Sequence, residues 1–106
     1  MGGRSAKRKG GAFELEVAKT FERHGLTARK TPMSGAIPGW EGDVLVNING
    51  RRERVECKRR KAGFGTLTRW LAGNWLLAVR DDHNEALIVM RLDDFAQLIG
   101  VGHGET

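Results

Sequence analysis

Asp43, which follows Gly42, and the triplet Glu56-Cys57-Lys58 flank the dipeptide Asn49-Gly50, which lies midway between Asp43 and Glu56. Asn-Gly between alternating apolar residues is the strongest short-range hairpin signal, because both central residues of a type I′ turn need positive φ. Ile48 then faces Arg51, and counting outward predicts Asp43 directly opposite Glu56. Cβ atoms so paired lie about 4.5–5.5 Å apart, and two carboxylates there repel unless a cation offsets them. Alternation predicts Lys58 on the face of Glu56, with Val44, Val46, Val55 and Cys57 on the other. The chemistry is that of a small acidic clamp for a divalent metal with an ammonium group beside it. Mg²⁺ suits it, since it uses one or two carboxylates and keeps water and phosphate oxygens in its remaining positions. Mn²⁺ is expected to substitute. Such a cation polarises a phosphate and lowers the pKa of a bound water. Lys58 is placed to orient that water or to stabilise growing charge, and the backbone carbonyl of Cys57 is a further candidate ligand.

Other residues join this set by position. Glu14 sits about 100° round a helix from Phe13, at the edge of the apolar stripe, and can reach inward over a sheet or simply complement the helix dipole, as can Glu16. Pro32-Met33-Ser34-Gly35 is a turn whose Ser34 hydroxyl is either structural or a phosphate contact. Trp40 either stacks on a base or anchors its loop. His24, His83 and His103 fit no ligand spacing, and Cys57 reads as a small buried hydrophobe turned away from the acids.

The elements that must position these groups follow from periodicity. Phe13, Val17 and Phe21 recur every four residues and predict a helix over residues 12–24, closed by His24-Gly25. A short strand is predicted at residues 26–30, a loop at 31–41, and the hairpin at 43–48 and 51–59. A helix at 66–73, strands at 75–80 and 86–91, and a helix from Asp93 or Asp94 to Ile99 complete the order α-β-β-β-α-β-β-α. The expected fold is α/β, a mixed central sheet flanked by helices. Residues 1–10 read as a flexible basic arm, 11–99 as one domain and 100–106 as a flexible tail.

Charge points to the partner. The chain has 106 residues and a net charge of +5, with the excess concentrated. Arg4, Lys7, Arg8 and Lys9 precede the first acid, and Arg51, Arg52, Arg54, Lys58, Arg59, Arg60 and Lys61 oppose only Glu53 and Glu56 between residues 51 and 61. Clusters of this kind favour a polyanion such as DNA. One cysteine excludes an internal disulfide framework and fits a reducing, cytoplasmic compartment. No apolar run is long enough to cross a membrane, so no membrane partner is expected, and no P-loop or dinucleotide fingerprint points to a small-molecule cofactor.

Taken in order, Lys9-Gly10, Phe13-Glu14, His24-Gly25, Pro32-Met33-Ser34-Gly35, Gly42-Asp43 and Glu56-Cys57-Lys58 resemble the PD-(D/E)xK nuclease superfamily, and within it the archaeal-type Holliday junction resolvases. The close resemblance covers about residues 8–61. It implies a restriction-endonuclease-like fold, Mg²⁺-dependent cutting of four-way junction DNA, and a homodimer with two active sites. By position it implies Glu14, Asp43 and Glu56 as metal-site acids, Lys58 as catalytic lysine and Ser34 as a hydroxyl near the scissile phosphate. Gly42 replaces the superfamily's proline. Leu15 stands where these resolvases often carry an arginine, a phosphate contact that Arg29 or Lys30 would supply. Arg4, Lys7, Arg8, Lys9, Arg59, Arg60 and Lys61 are expected to hold the DNA backbone. The rival expectations are another nuclease of the superfamily, of nicking, repair or restriction type, and a non-catalytic architectural DNA-binding protein.

Overall fold

The computed structural model describes residues 2–31 and 43–100, with the backbone alone for residues 2–10. The chain folds as α/β, in the order α1 (Gly2–Arg23), β1 (Ala28–Lys30), β2 (Val44–Ile48), β3 (Arg51–Val55), α2 (Gly65–Leu71), β4 (Leu77–Val79), β5 (Leu87–Val89) and α3 (Leu92–Ile99). The order of elements is the one the periodicities predict. Helix α1 starts ten residues earlier than expected, so that residues 2–10, read from composition as a flexible arm, have helical backbone. The segment has no proline, and its Ala, Arg and Lys are good helix formers. Gly10 and Gly11 inside the helix cost about 1 kcal/mol each relative to alanine.

The turn between β2 and β3 has the predicted chemistry: Asn49 has φ 53° and Gly50 φ 80°. Ile48 faces Arg51 and Val44 faces Val55. Strand β1 adds antiparallel to the far side of β2, with Arg29 opposite Leu45. Strands β4 and β5 pair only with each other, also antiparallel. The expected single mixed sheet is therefore, among the described residues, two antiparallel sheets of three and two strands. A parallel pairing needs a crossover of a dozen or more residues, whereas β4 and β5 meet across a short connection.

One face of β1–β3 takes α1. Val17, Ala18 and Phe21 of α1 pack with Ala28, Val44 and Val46, and Ala96 of α3 completes the cluster. Phe21 and Phe95 meet edge to face with centroids 6.3 Å apart. Arg23 Nη2 lies 3.2 Å from Asp93 Oδ1, tying the end of α1 to the start of α3. Gly100, which ends α3, lies so close to the His24 carbonyl that a side chain there would collide with it.

Candidate active site

The site is built at the end of the three-stranded sheet, where the ladder breaks. The Asp43 N–H donates to the Val55 carbonyl at 3.0 Å, and Val55 is already the partner of Val44. Two residues of one strand thus oppose one of the other, which is a β-bulge, a device that re-aims a side chain. Asp43 consequently does not stand directly opposite Glu56 as outward counting predicts, and β3 ends at Val55 rather than continuing to Arg59.

The bulge turns Asp43 into the protein, where it is buried. Its Oδ2 accepts the Cys57 N–H at 2.8 Å. Its carbonyl accepts the Thr31 N–H at 3.0 Å and the Thr31 hydroxyl at 3.4 Å. Backbone and carboxylate are each held, so the charge has one orientation. Thr31, fully buried, is a positioning residue that periodicity assigns to a loop. Its only sequence signal is its place at the end of a strand that pairs beside Asp43.

Glu14 comes to Asp43 from α1. Burial raises its pKa first, and the Asp43 carboxylate beside it raises it further, partly through a hydrogen bond between the two. Lys30 Nζ lies 3.9 Å from Glu14 Oε1 and works against that rise. Gly11, one turn before Glu14, leaves room for it, since a Cβ there would come within 3.0 Å of the ammonium. Lys30 is thus at the acidic site, on the α1 side of the sheet.

Glu56 and Lys58 lie beyond the last ladder pair. Lys58 Nζ is 3.1 Å from Glu56 Oε2, and both side chains are exposed. Glu56 still acts at the site, since its charge raises Glu14. Cys57 is half-buried against the apolar cluster, as its reading as a small hydrophobe requires. It is not remote from the acids, however. Its thiol is pushed up to about 11 by burial, then by Asp43, Glu14 and Glu56.

The structure therefore brings Glu14, Asp43 and Lys30 together and sets Glu56 with Lys58 beside them. Ser34, Trp40 and Gly42 lie outside the described residues, as do residues 101–106 and the side chains of Arg4, Lys7, Arg8 and Lys9. Arg60 lies over the ring of Phe64, 5.9 Å from its centroid, while Arg59 and Lys61 are exposed. Among the described residues, no three His, Cys, Asp or Glu side chains are gathered closely enough to hold a metal ion. The donors nonetheless suit a hard cation. Two adjoining carboxylates, Asp43 buried and Glu14 raised in pKa by burial and then by Asp43, are all-oxygen ligands short of positive charge.

No family model, curated protein or solved structure matches the chain. Among the described residues, no helix is long and apolar enough to cross a membrane.

Proposed function

We propose that this chain is a Mg²⁺-dependent endonuclease that hydrolyses phosphodiester bonds of branched DNA, most specifically four-way junctions. The observation that carries the reading is the buried Asp43 carboxylate, held on the Cys57 N–H with Glu14 against it, next to the Glu56–Lys58 pair. The resemblance of these residues to the archaeal-type junction resolvases supplies the substrate, and the order α-β-β-β-α-β-β-α supports the restriction-endonuclease-like fold that accompanies it.

Mg²⁺, when bound, would neutralise phosphate charge and lower the pKa of a bound water. Asp43 and Glu14 would hold it, with Glu56 joining them. Asp43 gives the most rigid ligand, because its carboxylate and its backbone are both anchored. Lys30 keeps Glu14 partly neutralised until a cation arrives. Lys58, on an exposed stem, steadies negative charge that develops on the phosphate. Ser34, which lies outside the described residues, is proposed from the resemblance alone to contact that phosphate.

Paired cuts on opposing strands need two such sites, and a second copy of the chain is proposed to supply the other. The support is the face formed by α2, β4 and β5, where Trp70, Trp75, Leu87 and Ile88 are each more than half exposed. A groove of about 490 Å³ beside them is lined by Trp70 and Leu87 together with Arg80, Asp81 and Glu85. An exposed apolar patch with a polar rim marks a protein-interaction surface, and a two-fold interface uses the same patch on both copies.

The test is incubation of a labelled immobile four-way junction with wild type and Asp43→Asn, with and without Mg²⁺, beside linear, nicked and flapped duplexes. Paired symmetric nicks in the junction, seen only with wild type and metal, are expected. Equal cutting of all four substrates would replace the junction reading with a general nuclease of the same superfamily. Tight binding with no cutting under any metal would replace it with an architectural DNA-binding protein.

A further inference from the structure

The chain that leaves the candidate site is rich in cations and free of acids. Residues 57–80 hold no Asp or Glu, while Lys58, Arg59, Arg60, Lys61 and Arg69 fall among them. Residues 58–64 lie between β3 and α2, outside any helix or strand, and every one of them is exposed. Two of their side chains are nonetheless held against each other. Arg60 Cζ stands over the Phe64 ring, 5.9 Å from its centroid, an arrangement in which the cation is drawn to the negative ring face. Gly63 supplies the bend that brings them together. Its φ of 123° lies in a region that side chains disfavour, and the guanidinium passes beside it, 3.5 Å from where a Cβ would stand. The Phe64 carbonyl accepts the Thr68 N–H at 3.1 Å, so the backbone under the ring is fixed to α2. Phe64 is still 42% exposed. A planar cation on an anchored ring, both open to solvent, is a stacking surface set among phosphate-binding charges.

We propose that Arg60 and Phe64 form a platform on which one unpaired base of a DNA strand stacks, while Arg59 and Lys61 hold the phosphates beside it. The proposal rests on the nuclease reading for its substrate class and goes beyond it in assigning how an open strand is recognised. Inside a duplex both faces of a base are covered by its neighbours. At a branch point, where strands exchange, a base turned out of the stack offers a free face. Guanidinium planes and aromatic rings both take such a face, and they take it from any base because each has one. The platform thus favours open over fully paired DNA without reading sequence, as shape-selective cutting requires. Its place suits the site. A chain advances at most about 3.6 Å per residue, so the Arg60 backbone lies within about 7 Å of that of Lys58. The absence of acids from residues 57–80 means that this segment offers the strand no like charge.

The experiment uses wild-type protein without Mg²⁺, so that it does not depend on catalysis. The probes are a labelled single strand of thymidylates and the same strand with every base removed. Both carry the same phosphates, so the ratio of their affinities reports stacking. Stacking is worth about 1–3 kcal/mol per base, and wild type is therefore expected to hold the thymidylate strand roughly 5- to 150-fold more tightly. Phe64→Ala should lower that ratio at least about 5-fold. Arg60→Lys should lower it too, yet leave the dependence on salt unchanged, because the charge remains while the plane is lost. Arg59→Gln should weaken both strands equally and reduce the slope of log K against log salt by about 0.7. Melting of each variant checks that it is folded. Equal binding of the two strands by wild type, or a ratio that either folded platform variant leaves unchanged, overturns the platform. So does failure to bind either strand. Cutting of an immobile four-way junction with Mg²⁺ is read separately on wild type. Cutting without preference for the thymidylate strand defeats the platform and spares the nuclease. A preference that both variants lose, with no cutting under any metal, defeats the nuclease and spares the platform.

Discussion

The half of the molecule made of α1, β1–β3 and α3 and the half made of α2, β4 and β5 both carry large apolar side chains, yet the first buries most of its own and the second, among the described residues, buries Leu71 alone. Apart from Leu71, every buried apolar residue among those described belongs to the first half. The second half leaves Trp70, Trp75, Leu76, Leu87 and Ile88 in solvent, Ile88 at 60% exposure. The difference is one of available partners. A helix with a stripe at i, i+4 and a sheet with one apolar face close on each other. A two-stranded sheet has no layer to close on and is marginal alone. The candidate site belongs to the closed half, where an acid can be held buried. The open half is where a second chain has apolar area to gain.

The sharpest break of this comparison is Phe21→Ala, which empties the centre of the closed half and should cost about 3–5 kcal/mol by chemical denaturation. A cost below 1 kcal/mol would mean that the closed half is not the core. Next is the chemical inertness of Cys57. With its thiol near 11 against a reference near 9, its thiolate at pH 8 is roughly 100-fold scarcer, and alkylation by iodoacetamide should slow in proportion relative to a free thiol. Asp43→Asn should speed it, since one of the charges that raise the thiol is gone.

A smaller effect is expected at Glu14. Its folded-state pKa is raised, so the stability it contributes is complete below its ordinary value near 4.5 and is lost as pH rises through the raised one. Glu14→Gln should therefore raise the melting temperature at pH 7, by an amount worth a few tenths to about 1 kcal/mol, with the gap to wild type closing below pH 4.5. Mg²⁺ should stabilise wild type more than this variant. The smallest effect is in the open half. Ile88→Lys should change the stability of the monomer by less than about 0.5 kcal/mol while lowering the mass measured by light scattering from that of the proposed dimer to that of a monomer. A loss of several kcal/mol at low protein concentration would show that β5 belongs to a core after all.

Much of this is legible along the chain. The stripe of Phe13, Val17 and Phe21 marks α1, Asn49-Gly50 marks the turn and with it the register up to Val44 and Val55, and the order of all eight elements follows from period and punctuation. These are local matters, decided by the φ preferences of a few residues and by which faces are apolar. The approach of Glu14 to Asp43 was readable in outline, because helical spacing puts Glu14 at the margin of the buried stripe. What tertiary structure alone decided is the aim of the acids. The bulge at Asp43 depends on where the Thr31 N–H and hydroxyl and the Cys57 N–H lie, groups just beyond the ends of β1 and β3, and counting along a regular ladder cannot foresee two residues opposing one. The same holds for Lys30, which alternation puts on a face but only the packing of α1 over β1 puts beside Glu14. It holds again for β4 and β5, whose apolar runs predict strands but not the partner that would cover them. Local sequence sets each strand and helix through backbone sterics and period, whereas the position of a buried charge is set by the hydrogen-bond donors that other segments deliver to it.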